Sequence, residues 1–147
     1  MKIIVATEGS SNSQLAARAL QSFRLGPTDS VHVVSIVDLG VPVSTDLYGG
    51  YLPSLPVTEA AATEAAEKLV SETVATIGQE SEAVVTGEVL FGRAESRIVE
   101  AAADFAADMI IVGSHSSNAL ERILLGSVSD AVVHHAHCSV LIVRRNG

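Results

Sequence analysis

Tryptophan is missing from this chain and the other aromatics are few, three Phe and two Tyr, so its core has to be built from aliphatic side chains. Cysteine occurs once, at Cys138, which excludes an intrachain disulfide and any zinc site made of paired cysteines, and suits an intracellular protein. Lysine occurs only at Lys2 and Lys68, and with seven arginines against 17 acidic residues the formal net charge is −8. That balance repels polyphosphate backbones, and no stretch gathers bases into a stripe, so no nucleic-acid partner is expected. A phosphate bound here would be held mainly by backbone N–H groups, hydroxyls or an arginine. No apolar run reaches membrane-spanning length, and Met1 leads straight into an apolar strand pattern without a basic segment and cleavage site. The expectation is a soluble, cytoplasmic protein with no membrane partner.

What the chain does have is 48% hydrophobic residues in a length of 147, much of it Ala, Val and Ile, enough for one core and marginal for two. One domain covering residues 1–147 is expected. Lys2-Ile3-Ile4-Val5-Ala6-Thr7 is short, apolar and β-branched and stops at Glu8-Gly9-Ser10, as a strand buried on both faces should. Ser11-Asn12-Ser13-Gln14 has capping-box spacing, and Leu15, Ala16, Ala19, Leu20 and Phe23 then share a helical face up to a stop at Gly26-Pro27. A second strand is read over residues 30–37. After a long connection, a second helix carries Ala62, Ala66, Leu69, Val70, Val74 and Ile77 as its apolar stripe and ends at Gly78. A third strand is read over 83–89, and a third helix over about 94–107 with Ile98, Ala102 and Phe105 inward. The fourth strand is Met109-Ile110-Ile111-Val112, a fourth helix starts at Ser127, and Val140-Leu141-Ile142-Val143 is the last strand.

This alternation implies parallel pairing through right-handed crossovers, hence a single doubly wound, Rossmann-like sheet of five parallel strands with four helices on its faces. In such sheets ligands sit at the carboxyl ends of the strands where strand order reverses, which selects the segments after the first and fourth strands if those two are central neighbours. The connection 38–56 holds three of the four prolines, both tyrosines and Gly49-Gly50, and reads either as a lid or as a variable surface loop.

The most informative stretch is Val112-Gly113-Ser114-His115-Ser116, then nine residues to Leu125, then Gly126-Ser127-Val128-Ser129 at a helix start. A helix N-terminus leaves N–H groups unpaired and carries a positive partial charge, so Gly126 and Ser127 present that end to an anion. Gly113 allows close backbone approach, and the Ser127 hydroxyl can add a hydrogen bond or a metal contact. The plainer alternative is that Ser127 caps the helix, Gly126 is a turn residue and Gly113 ends a strand. No Gly-x-x-x-x-Gly-Lys-Ser/Thr run occurs and neither lysine is near, so the parts for fast phosphoryl transfer are missing. Arg122 is the only base within the loop, either reaching outer phosphates or solvated beside Ile123 and Leu124.

The spacing Gly113, two residues, Ser116, nine residues, Gly126-Ser127 resembles the nucleotide-binding signature of the universal stress protein family, with Ser116 where the family has a second glycine. The resemblance runs from Ile3-Ile4-Val5-Ala6-Thr7-Glu8-Gly9-Ser10 through Gly92-Arg93-Ala94-Glu95 to Val140-Leu141-Ile142-Val143-Arg144. It implies an adenine nucleotide alpha hydrolase-like fold with strand order 3-2-1-4-5, and ATP or another adenine nucleotide as ligand, with or without Mg or Mn. It implies nucleotide contacts at Ala6, Thr7, Glu8, Ile36, Val112, Gly113, Ser116, Gly126, Ser127 and Val128, with Glu8 standing where the family has Asp. It further implies a homodimer through the last strand, Val140, Leu141, Ile142 and Val143, whose apolar edge needs cover. The output of such a protein is regulatory, through an unknown protein partner, in a stress response. Two other readings stay open: an interaction module of the same fold that binds no nucleotide, with Ser116 as its sign, and a slow ATPase.

Asp38 reads as a solvated loop acid rather than a ribose contact. His134, His135, His137 and Cys138 look like metal ligands at first, but adjacent helix residues point to different faces. They are read instead as a helix end where imidazoles suit the negative dipole terminus and Cys138 packs as a small apolar group. His115 is read as a loop side chain. No catalytic residue and no metal site is assigned.

Overall fold

Period-two alternation sets the layering. Ile3 and Val5 point into one core cluster and Ile4 into another, and all three are fully buried. A computed structural model describes residues 1–39, 58–114 and 125–144. Its elements are β1 (Lys2–Ala6), α1 (Ser11–Ala19), a 3-10 turn (Leu20–Ser22), β2 (Ser30–Val37), α2 (Glu59–Glu80), β3 (Val84–Phe91), α3 (Ala94–Asp104), β4 (Met109–Gly113), α4 (Ser127–His135) and β5 (Ser139–Val143). The five strands form one parallel sheet in the order β3-β2-β1-β4-β5, the expected topology. Ala16 of α1 and Val70 and Ile77 of α2 cover the face that carries Ile3, Val5, Val31, Val33 and Ile111. Ile98 and Ala102 of α3 and Val132 of α4 cover the opposite face with Ile4, Val34, Ile110 and Val112.

Several element ends differ from the sequence expectation, each for a tertiary reason. The N-cap of α1 is Ser10, whose Oγ accepts from the Ser13 N–H at 3.2 Å. The helix does not run to Gly26-Pro27: after Ala19 the chain tightens into the 3-10 turn and Phe23 is extended, which brings Leu20 and Leu25 into the core. Gly78 does not end α2, which continues to Glu80 because burying Ile77 outweighs the roughly 1 kcal/mol cost of an exposed helical glycine. β3 extends to Phe91 and turns at Gly92, where φ is +126°. α3 stops at Asp104 because Ala106 takes φ 52°, and the Ala107 N–H then closes on the Ala102 carbonyl at 2.8 Å.

Gly87 sits where α2 crosses β3. A Cβ there would lie 2.5 Å from Val70 Cγ1 and 2.8 Å from Val74 Cγ2, so the glycine sets how closely helix and strand approach. Gly87→Ala is expected to lower stability by about 1–3 kcal/mol, read as a lower urea midpoint at unchanged slope. Adding Val74→Ala should recover part of that loss, and additive losses in the double variant would refute this packing account.

Candidate functional site

The reversal of strand order falls between β1 and β4. From β1 the chain crosses by α1 on one face to β2, and from β4 by α4 on the other face to β5, so the two connections diverge and leave a crevice at the carboxyl ends. Val5 is paired with Ile111 in register, which sets Ala6 beside Val112 at the crevice floor. Val112 is buried in the cluster that Ala6, Ile36 and Val128 pack against, so four of the expected contact residues are drawn together from β1, β2, β4 and α4.

Two hydrogen bonds tie the start of α4 to the end of β4. The Gly126 N–H donates to the Ser114 carbonyl at 2.8 Å, and the buried Ser129 Oγ–H donates to the Gly113 carbonyl at 2.7 Å. Ser114 is itself held against β5, its N–H donating to Val143 O at 2.9 Å. Neither Ser114 nor Ser129 was singled out in the sequence; the only local sign was a second serine two places beyond Ser127. Gly126, not Ser127, is the N-cap residue, with φ −63° and ψ 151°, and no side chain caps the helix. The first intrahelical bond runs from Asp130 N–H to Gly126 O at 2.9 Å. The N–H groups of Ser127, Val128 and Ser129 therefore have no partner among the described residues, and the positive end of α4 faces the crevice from a fixed position.

On the β1 side the protein already uses much of Thr7. It is 5% exposed, its N–H donates to Val34 O at 2.9 Å, and its hydroxyl donates to Ser13 Oγ at 3.3 Å. Glu8 is exposed and accepts from Ser10 Oγ at 2.6 Å, leaving its other oxygen to face solvent or a ligand. The turn that follows depends on Gly9, whose φ is +83°. Asp38 is exposed just past the end of β2. Ser116, His115, Arg122 and most of the connection 38–56 lie outside the described residues.

The histidine and cysteine group lies at and just beyond the end of α4. His134 and His135 occupy its last turn, His134 with Nδ1 2.8 Å from the Asp130 carbonyl. Among the described residues no group of three or more His, Cys, Asp and Glu is placed to hold a metal. Cys138 packs against the core, and burial, with a smaller contribution from the Asp108 charge, pushes its thiol pKa up. No helix among the described residues is long and apolar enough to cross a membrane.

Comparison with known proteins agrees with this architecture. The family model for the universal stress protein family matches residues 1–144. A universal stress protein of Methanocaldococcus jannaschii is 31% identical over 144 residues, which is 98% of this chain and 82% of that protein. Among solved structures, the universal stress protein UspA of Lactobacillus plantarum superposes with a TM-score of 0.75 at 22% identity, covering 98% of this chain and 97% of that one. An Arabidopsis thaliana universal stress protein with AMP bound superposes with a TM-score of 0.64 at 14% identity, covering 100% and 93%.

Replacing Ser129 by Ala removes the side-chain tie to β4 and is expected to cost about 1 kcal/mol in urea unfolding. A variant as stable as the parent would show that the Gly113 carbonyl does not depend on that hydroxyl.

Proposed function

Because the chain belongs to the universal stress protein family, we propose that it binds an adenine nucleotide at the β1/β4 crevice and acts as a homodimeric regulator in a stress response. The whole of residues 1–147 is taken as one universal stress protein domain in this reading. The observation that carries it is the start of α4, held to β4 at Ser114 and Gly113, whose three successive N–H donors have no partner among the described residues. A nucleotide phosphate supplies the acceptors those donors lack, in a chain too poor in lysine to offer an ammonium instead. In this reading Gly113, Gly126, Ser127 and Val128 hold phosphate, together with Ser116 where the family has its second glycine. Ala6, Thr7, Glu8, Ile36 and Val112 receive the adenosine. Magnesium or manganese, where present, would be met by the Ser127 hydroxyl. The AMP found in the Arabidopsis relative is the same class of ligand on the same fold.

No metal-holding cluster is found among the described residues and the sequence has no P-loop lysine, so a sensor is proposed in preference to an ATPase. A ligand that orders the segment between Gly113 and Gly126 changes a surface that a partner protein can read. The alternative, an interaction module that has lost its nucleotide, rests on Ser116 in place of the family's glycine.

Ser127→Pro separates these readings cleanly. Gly126 already has the extended backbone that a residue before proline prefers, and proline is well tolerated at the first helical position, so the fold should be kept while one N–H and one hydroxyl are lost. AMP, ADP or ATP at saturating concentration is expected to raise the melting temperature of the parent, and the variant should bind about tenfold or more weakly with an unchanged unliganded melting temperature. If denatured protein releases no nucleotide and no adenine nucleotide shifts the parent, the interaction-module reading takes over.

The dimer follows from the other end of the sheet. Ser139 N–H donates to Asp108 O and Val143 O accepts from Ser114, so by alternation Val140 and Ile142 turn their N–H and C=O groups outward along the β5 edge. Pairing of Val140 to Val143 with the same strand of a second copy satisfies them. Sedimentation equilibrium should show a dimer, and Val140→Pro, which deletes an outward donor at an edge position that tolerates proline, should shift it towards monomer. A parent that stays monomeric at tens of micromolar would overturn this interface.

A further inference from the structure

The opposite edge of the sheet is β3, and it is unusually open. Val84 N–H donates to Asp29 O at 3.0 Å and Gly92 N–H to Val37 O at 3.1 Å, so the even-numbered residues bond towards β2. The N–H and C=O groups of Val85, Gly87, Val89 and Phe91 therefore point away from the sheet, and no strand lies beyond β3 among the described residues. Few of the usual guards of an edge occur on the strand itself. The strand Val84–Phe91 contains no lysine, arginine or proline. Its register with β2 runs without a bulge from Ser30↔Val84 to Val37↔Phe91, and Val84 and Phe91 are 57% and 48% exposed.

A groove flanks this edge on each face of the sheet, and the two differ in chemistry. On the α2 side, a groove of about 700 Å³ has an apolar floor of Val70, Val74, Val89 and Phe91, with Glu67 on its lining. Gly87 belongs to this groove and adds no side chain to fill it. On the α3 side, a groove of about 360 Å³ is lined by Glu88, Glu100, Asp104 and Arg97. Arg97 is spent on Glu100 as an i,i+3 pair, and Glu88 accepts from His32 through one oxygen only. His32 also lines this groove and Lys2 lies over Phe105 at its end, but neither Glu88 nor Asp104 forms an ion pair with a lysine or arginine among the described residues, so the side keeps an acidic balance.

We propose that the β3 edge takes up an extended segment of a partner protein in which basic and apolar side chains alternate. An added strand has period two, so the residues on one of its faces would lie over the acidic α3 groove and those on the other over the apolar α2 groove. The edge supplies main-chain hydrogen bonds, and the two grooves supply the sequence requirement. Charge complementarity selects this occupant over a second copy of the chain, which carries the same acids and a net charge of −8. The site is on the far edge from β5 and makes no use of the nucleotide crevice, so its test is independent of the function proposed above.

The test uses the intact chain and three synthetic octapeptides: alternating lysine and valine, the same with glutamate for lysine, and the lysine peptide N-methylated throughout. Amide hydrogen exchange followed by NMR reads the edge directly. The lysine peptide should slow exchange at Val85, Gly87, Val89 and Phe91 by about tenfold or more, and added salt should weaken the effect. The glutamate and N-methylated peptides should leave those amides unprotected. Asp104→Asn should weaken lysine-peptide binding severalfold while the circular dichroism spectrum stays that of the parent. Equal protection by the lysine and glutamate peptides, or none from the lysine peptide, would overturn the proposal. So would protection of the same four amides by raising the protein concentration alone, which assigns the edge to a second copy.

Discussion

The pairing of β1 with β4 is the constraint on which the rest of this molecule depends. These strands are separated by most of the chain, yet Ile3, Ile4 and Val5 lie directly beside Met109, Ile110 and Ile111. Five of those six side chains are completely buried, each contributing on the order of 1.5–3 kcal/mol of apolar burial. Once the two strands are neighbours, one pair of crossovers must lie on each face and the connections that leave them must part. The crevice is thus a consequence of how the core is built, and α4 starts beside it because β4 ends there.

Within that frame, the tie between the start of α4 and the end of β4 converts a loop into a fixed surface. Gly126 N–H and Ser129 Oγ hold the start of the helix to the end of the strand at Ser114 and Gly113. The N–H groups of the first turn of α4 have no partner among the described residues, and a backbone donor left unanswered costs free energy. Thr7 shows the opposite arrangement across the crevice, where the N–H and hydroxyl are already satisfied by Val34 and Ser13. The two sides of the crevice are therefore unequal: the α4 side offers donors, and the β1 side offers shape and the Glu8 carboxylate.

What the sequence made legible follows the same physics. The strands could be read because runs such as Ile3 to Val5 and Ile110 to Val112 are buried on both faces and so are continuously apolar; their alternation with helices implied a doubly wound parallel sheet, and the order of its strands came from the family resemblance. Helix ends were harder to read because they are settled by contacts between elements: Ile77 carries α2 through Gly78, Leu20 and Leu25 bend the chain after α1, and Ala106 stops α3 in a conformation usually left to glycine. The start of the fourth helix was legible in Gly126-Ser127 because it is a local property of a strand, a turn and a helix. The bonds from Ser129 to Gly113 and from Gly126 to Ser114 were not, because they join residues more than ten positions apart whose approach depends on the crossover.

The two sheet edges pose one problem with two answers. Both are largely apolar, and if both paired with copies of themselves the sheet would continue from molecule to molecule into a fibre. Self-pairing of β3 about a two-fold axis would set Glu88 of the two copies either opposite or one diagonal apart, where like charges oppose pairing. β5 carries no acid in the run Ser139–Val143 and meets no such penalty. Glu88 near the middle of β3, with Glu67 and Asp104 on the flanking helices, thus makes the two edges unequal in charge, and like-charge repulsion weighs against self-pairing at β3 alone.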